Sequence, residues 1–233
     1  MLKYNAKTDA IVIGDACVDI IVPFPRFLNE EHTEVEFTNP EIRGGGTCAN
    51  TAVALAKLGV PTSFMGTIGN DNYGRLVTDE FHTYGINTDL TLVDDEKDTV
   101  GVFAFIDERH ERHLWAWPRG KEAYTHLDLS KIDMDRVRNA SWVHSSGMTV
   151  LFEGSMRKSI VEVFKAAHDA GVPTSFDLNT RVSDPQRLKP EIRETVLEIL
   201  EYCDYMLGSG KDEFYSFCPQ PDWRDSARHF VTD

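Results

Sequence analysis

Short, uniformly apolar runs rich in β-branched residues alternate with longer amphipathic stretches along most of the chain, and that rhythm leaves few architectures open. The run Ala10–Ile13 in "DAIVIGDACVDIIV" is closed by Gly14 and predicts a strand buried on both faces, as in a parallel sheet. "TSFMGTIG", "ASWVHSSG", "VPTSFDLN" and "CDYMLGSG" predict further strands. Between them Ala49–Leu58 reads as a helix stopped by Gly59 and Pro61, and "NDNYGRLVTDEFHTYG", 156–170 and 190–202 read as helices too. Strand alternating with helix is the pattern of an α/β fold with a doubly wound, mostly parallel sheet. Two segments break the rhythm, at about 18–38 and 99–117. The first holds an extended run, Val18–Val22, and the alternating "TEVEF"; the second holds "TVGVFAFID" and "RHLWAWP" flanking "ERHE" as a hairpin. They predict a small antiparallel β appendage inserted between the βα units of one unit spanning 1–233.

Charge narrows the partners. The 233 residues carry 38 acidic against 24 basic side chains, a net charge of -14, which repels nucleic acid and anionic membrane surfaces. An anionic ligand therefore has to be met locally, by backbone amides or a focused Arg or Lys. No apolar run approaches bilayer length, and residues 1–7 show no secretory h-region. Cys17, Cys48, Cys203 and Cys218 form no CxxC pair, which predicts reduced thiols in a cytoplasmic protein.

Several motifs can be weighed on chemistry alone. "LGSGKDEF" is not a Walker loop: Tyr205 stands where its first glycine belongs, and Asp212 follows Lys211 where Ser or Thr would meet magnesium. "GGGTCAN" is not a dinucleotide fingerprint, because Ala49 and Asn50 replace the final glycine region. Gly44, Gly45 and Gly46 nonetheless permit close backbone approach to a ligand, with Asn50 offering an amide to a pair of sugar hydroxyls. The plainer reading is a tight turn with Asn50 as a local helix cap. Asp15 and Asp19 follow the first strand, where open α/β sheets place ligand residues or, equally, loop-capping carboxylates. "FDLNTR" repeats that placement with Asp177, Asn179 and Arg181, and the helix start at 211–213 is a third such place. His110 and His113 have metal-like spacing, but Arg109 and Arg112 beside them favour a solvated turn. Trp115 and Trp117 share a strand face, as core or as an apolar lid. No G-x-S-x-G elbow occurs, which disfavours nucleophilic hydrolysis.

Taken together, these residues resemble the ribokinase-like (PfkB) carbohydrate kinases along nearly the whole chain. The family's first signature matches Gly45, Gly46, Asn50 and "TAVALAKLG", followed by "FMGTIGNDNYG"; "GDACVDII" is similar to its first strand, with the sugar-binding Asp falling on Asp19. The resemblance implies an ATP-dependent phosphotransferase acting on a sugar hydroxyl. It places Phe103 and the strands around 99–117 in a lid over the sugar, and puts Asn179 and Arg181 of "FDLNTR" with the substrate residues. It also implies ATP and Mg2+ as cofactors, a monovalent cation besides, and a homodimer paired through lid strands. Glu213 of "GKDE" falls beside phosphate and magnesium, although Gly210 stands where the family has Asn. The second signature, Gly-Ala-Gly-Asp with the catalytic Asp, does not occur before the sequence stops at "HFVTD". The expectation is that the catalytic Asp lies beyond Asp233 and that these 233 residues alone turn over little. A non-catalytic sugar-binding or regulatory remnant and a nucleoside kinase are the alternatives.

Overall fold

The computed structural model describes residues 8–23, 39–117, 121–182 and 184–230. The strands and helices that matter follow in chain order. They are β1 (Ala10–Ile13), β2 (Cys17–Pro23), β3 (Glu41–Gly45), α1 (Thr47–Lys57), β4 (Thr62–Gly69), α2 (Asn72–Thr83), β5 (Thr91–Asp94), β6 (Val100–Ile106) and β7 (Arg112–Trp117). The second half adds α3 (Met134–Arg138), β8 (Trp142–Ser146), α4 (Met156–Asp169), β9 (Thr174–Asp177), α5 (Pro190–Leu200) and β10 (Tyr205–Leu207).

Six strands form the main sheet in the order β10-β9-β8-β1-β4-β5, and every pairing in it is parallel. β1 and β4 are buried at every position, as strands covered on both faces must be. Ile11 and Ile13 point into one apolar cluster with Val143, Phe176 and the buried stripe Met156, Ile160, Val163, Phe164 and Ala167 of α4. Val12 points the other way, into a second cluster with Phe64 and with Ala49 and Ala52 of α1. Helices on both faces of one parallel sheet make the predicted doubly wound α/β fold.

The second sheet runs β3-β2-β6-β7. Its outer pairs, β2 with β3 and β6 with β7, are antiparallel, while the central pair β2 with β6 is parallel, so the appendage is mixed rather than purely antiparallel. The hairpin at 99–117 is present as β6 and β7. Of the segment 18–38, only residues up to 23 are described, so the "TEVEF" strand lies outside the described residues. Sequence periodicity did not disclose β3 or β5. Gly44 and Gly45 offer no side chain to alternate, and β5 is a four-residue edge strand.

The glycine triplet needs a correction. Gly44 and Gly45 are not turn residues but pair with Val18 and Cys17 in the second sheet. Only Gly46 has a left-handed backbone, with φ 104°. A Cβ there would sit 2.8 Å from the Asp15 carbonyl oxygen, so glycine is required on both counts. Nor does Asn50 cap the helix. It lies within the first turn of α1, and its own amide donates to the Gly46 carbonyl at 2.9 Å. No helix among the described residues is long and apolar enough to cross a membrane.

Candidate functional site

The first turn of α1 takes its cap from another element. Asp15, in the link between β1 and β2, is 7% exposed and accepts from the Thr47 amide (2.7 Å), the Cys48 amide (3.1 Å) and the Thr149 hydroxyl (3.3 Å). Its carbonyl oxygen also accepts from the Ala49 amide (3.1 Å). Asp15 is therefore a capping residue that fixes α1 beneath the second sheet, and its carboxylate is occupied.

Asp19 is placed differently. It lies on β2, half-buried, opposite Arg43 on β3 and Val102 on β6. Its carboxylate rests on the backbone of Gly45, where a Cβ would come within 2.6 Å of Cγ. Burial pushes the Asp19 carboxyl above its ordinary range; the Arg112 guanidinium and the Cys17 thiol pull it back, and the Asp15 charge adds to the rise. Among the described residues its oxygens accept only a weak contact, from Cys17 Sγ at 3.8 Å. Among the described residues, then, its acceptor capacity is largely unspent.

The other predicted site residues fall into separate places. Asn50 is exposed and lines a cleft of about 320 Å³ with Gly44, Gly45, Glu80 and Tyr84; Asp19 does not line it, and Gly45 is common to both. Phe103 pairs in register with Ile20, not with Asp19, so strand alternation turns it to the opposite face of the sheet from that carboxylate. There it packs on the cluster of Val18, Ile20 and Val77 and stacks on Phe105 at 6.0 Å. Trp115 on the same face is 67% exposed and meets Phe105 edge-on at 5.8 Å. His113 is bound to Asp107 Oδ2 at 3.2 Å, and the same carboxylate accepts from the Arg109 and Glu111 amides (2.9 Å each). The histidine pair thus belongs to the β6–β7 hairpin, His110 in its turn and His113 on β7, and no cluster of three metal-ligating side chains occurs among the described residues.

A second group gathers past the carboxyl ends of β9 and β10. Asn179 Nδ2 donates to the Thr47 hydroxyl at 3.3 Å, tying the "FDLNTR" loop to the start of α1. Asn179 and Arg181 both have positive φ, 21° and 54°, which concentrates backbone strain in this loop. Arg181 is exposed. Glu213 is 7% exposed, and its Oε2 accepts from the Ser209 amide at 2.7 Å. Burial raises the Asp177 carboxyl above its usual value, and the Glu213 charge raises it further. The sequence marked Asp177 and the 211–213 helix start each as a ligand-type place, but it did not join them, because they belong to two different strand ends.

A doubly wound sheet crossed by a small second sheet, with ligand-type carboxylates at strand ends, is the plan of a sugar-kinase domain. Residues 7–228 match the pfkB family carbohydrate kinase pattern, and the chain belongs to that family. It is 29% identical over 184 residues to fructokinase-2 of Oryza sativa subsp. japonica, covering 78% of this chain and 52% of that protein. It is 30% identical over 212 residues to a 5-dehydro-2-deoxygluconokinase of Listeria monocytogenes, covering 89% of this chain and 62% of that one. Among solved structures, the fructokinase of Xylella fastidiosa with bound ATP superposes with a TM-score of 0.77 at 20% identity, covering 96% of this chain and 68% of that one. A PfkB protein from Polaromonas sp. JS666 superposes at 0.79 and 20%, covering 96% and 72%. The chain thus spans roughly half to three-fifths of the length of these two sequence relatives.

Proposed function

We propose that the chain forms the sugar-binding part of an enzyme that transfers the γ-phosphoryl group of ATP to a sugar hydroxyl. The observation that carries this reading is Asp19, a half-buried carboxylate with unspent acceptor capacity seated against Gly45 in a chain of carbohydrate-kinase lineage. In this reading Asp19 accepts hydrogen bonds from two neighbouring sugar hydroxyls, the Gly45–Gly46 backbone approaches the ring, and Asn50 contributes its amide. The second sheet acts as the lid that keeps water from the phosphoryl group. Asn179 and Arg181 are placed on the substrate side and Glu213 on the phosphate side.

Asp177, at the carboxyl end of β9, and Glu213, past that of β10, are the residues that would hold Mg2+, which when bound would supply charge neutralisation at the phosphates. As a second reading, the same Asp19 site would serve a protein that binds sugar without transferring phosphate.

Sugar-dependent ADP release, measured over a panel of hexoses, ketoses, sugar acids and nucleosides with the protein as its source produces it, tests the first reading. Asp19→Ala is expected to lower kcat/KM at least about 30-fold, the loss of one or two hydrogen bonds to a charged acceptor. Sugar binding without ADP release moves the second reading ahead. ADP release that is unchanged by Asp19→Ala removes Asp19 from the site.

A further inference from the structure

Arg112 stands apart from the other cations near Asp19. Strand register places both residues on one face of the second sheet: Asp19 opposes Val102, and two-residue steps along the hairpin lead through Ala104 and Leu114 to Arg112, which opposes Ile106. From strand spacing and rise the two Cα atoms lie roughly 16 Å apart. Across that separation a long arginine side chain reaching towards the short aspartate would leave room for a small sugar. Arg43, directly across from Asp19, is already ion-paired with Glu41. His113, the neighbour of Arg112, is held by Asp107. Arg112 is exposed and has no ion-pair partner within 4.0 Å among the described residues, yet its charge is felt at the Asp19 carboxyl.

We propose that Arg112 selects a sugar bearing a carboxylate, whose hydroxyls rest at Asp19 while its anionic end meets the Arg112 guanidinium. The proposal rests on the reading of Asp19 as the sugar-binding residue. With a net charge of -14 the protein repels anions at long range, so a guanidinium on the Asp19 face with no ion-pair partner among the described residues is the local exception an acidic substrate needs. A guanidinium grips a carboxylate through two parallel N–H···O bonds. The one guanidinium matches the single charge of a carboxylate, whereas a dianionic phosphate ester near the Asp19 carboxylate is left further under-compensated, which sets the class as a sugar acid rather than a sugar phosphate.

Two matched pairs test this by calorimetry: D-gluconate with D-glucitol, and D-galactonate with galactitol, each pair differing in one terminal carboxylate against a hydroxymethyl group. Glucitol 6-phosphate is the phosphate probe. One acid is expected to bind at least about tenfold tighter than its neutral partner, a preference of the size of one charge-assisted hydrogen bond. Arg112→Gln is expected to collapse that ratio, and Arg112→Lys to keep part of it, with melting curves confirming the fold of both. A ratio near one, a ratio indifferent to Arg112→Gln, or tighter binding of the phosphate ester than of either acid overturns the proposal. Neutral sugars bound in an Asp19-dependent way with no preference for acids would overturn this inference alone. Failure of acids and neutral sugars alike would overturn the sugar-site reading with it.

Discussion

Asp15 is the residue whose removal the structure prices most directly. Asp15→Ala deletes the acceptors of two α1 amides and one hydroxyl, and the Cys48 amide it strands belongs to a fully buried residue. Losing an N-cap costs about 0.5–2 kcal/mol, and leaving a buried donor unsatisfied costs about 1–3 kcal/mol. The two overlap, and removing a buried charge returns some desolvation energy, so the net expectation is about 3 kcal/mol. For a domain of this size that lowers Tm by about 6–12 °C. Asp15→Asn keeps one acceptor oxygen and should lose about half as much. Urea denaturation followed by far-UV circular dichroism at neutral pH measures both. A loss under about 0.5 kcal/mol for Asp15→Ala, accompanied by lost sugar affinity, would refute the capping assignment and make Asp15 a ligand residue instead.

Other outcomes follow from the same geometry. Gly45→Ala puts a methyl group where the Asp19 carboxylate lies, so sugar affinity should fall by about tenfold while the fold survives; unchanged affinity in calorimetry would separate Gly45 from the site. Phe103→Ala should cost about 2 kcal/mol of stability, being a half-buried core contact, with sugar affinity held within about twofold; affinity lost at constant stability would return Phe103 to the sugar side. Burial pushes the His144 imidazole down to about 4 from 6.5. The unfolded chain therefore binds this proton first, and stability present above pH 6.5 declines as pH falls towards 4, by at most about 3 kcal/mol. His144→Gln should flatten the pH dependence in that window; an identical slope in denaturation at pH 4.5 and pH 7 would contradict it.

What the sequence discloses depends on whether a residue's neighbours are local. β1 and β4 were legible because every side chain in them is buried, so composition alone marks them. α2 was legible because Asp71 caps it from the adjacent position, accepting from the Gly74 amide at 2.8 Å. The cap of α1 was not, because Asp15 lies 32 residues before Thr47. The orientation of Phe103 was not legible either. "VGVFAFI" is apolar on both faces, and the face each residue takes is decided by parallel pairing with β2, some 80 residues earlier in the chain. The resemblance named Asp19 but gave no reason for the glycine beside it.

That reason lies in three different neighbours. Gly44 makes room for the Glu80 side chain of α2, Gly45 for the carboxylate of Asp19, and Gly46 for the backbone of Asp15 and Ala16. Three consecutive positions thus join α2, the second sheet and the β1–β2 link at the point where α1 begins. A side chain at any of them would move one partner without moving the other two. The triplet therefore acts less as a flexible turn than as a junction, and its sequence is fixed by what packs against it from three directions. Substitutions there should accordingly separate: Gly46→Ala should act on stability, through strain at φ 104° and the clash with Asp15, whereas Gly45→Ala should act first on ligand affinity. Equal loss of stability and affinity at both positions would mean that the second sheet and α1 move as one body, with Asp19 and Asp15 a single structural unit.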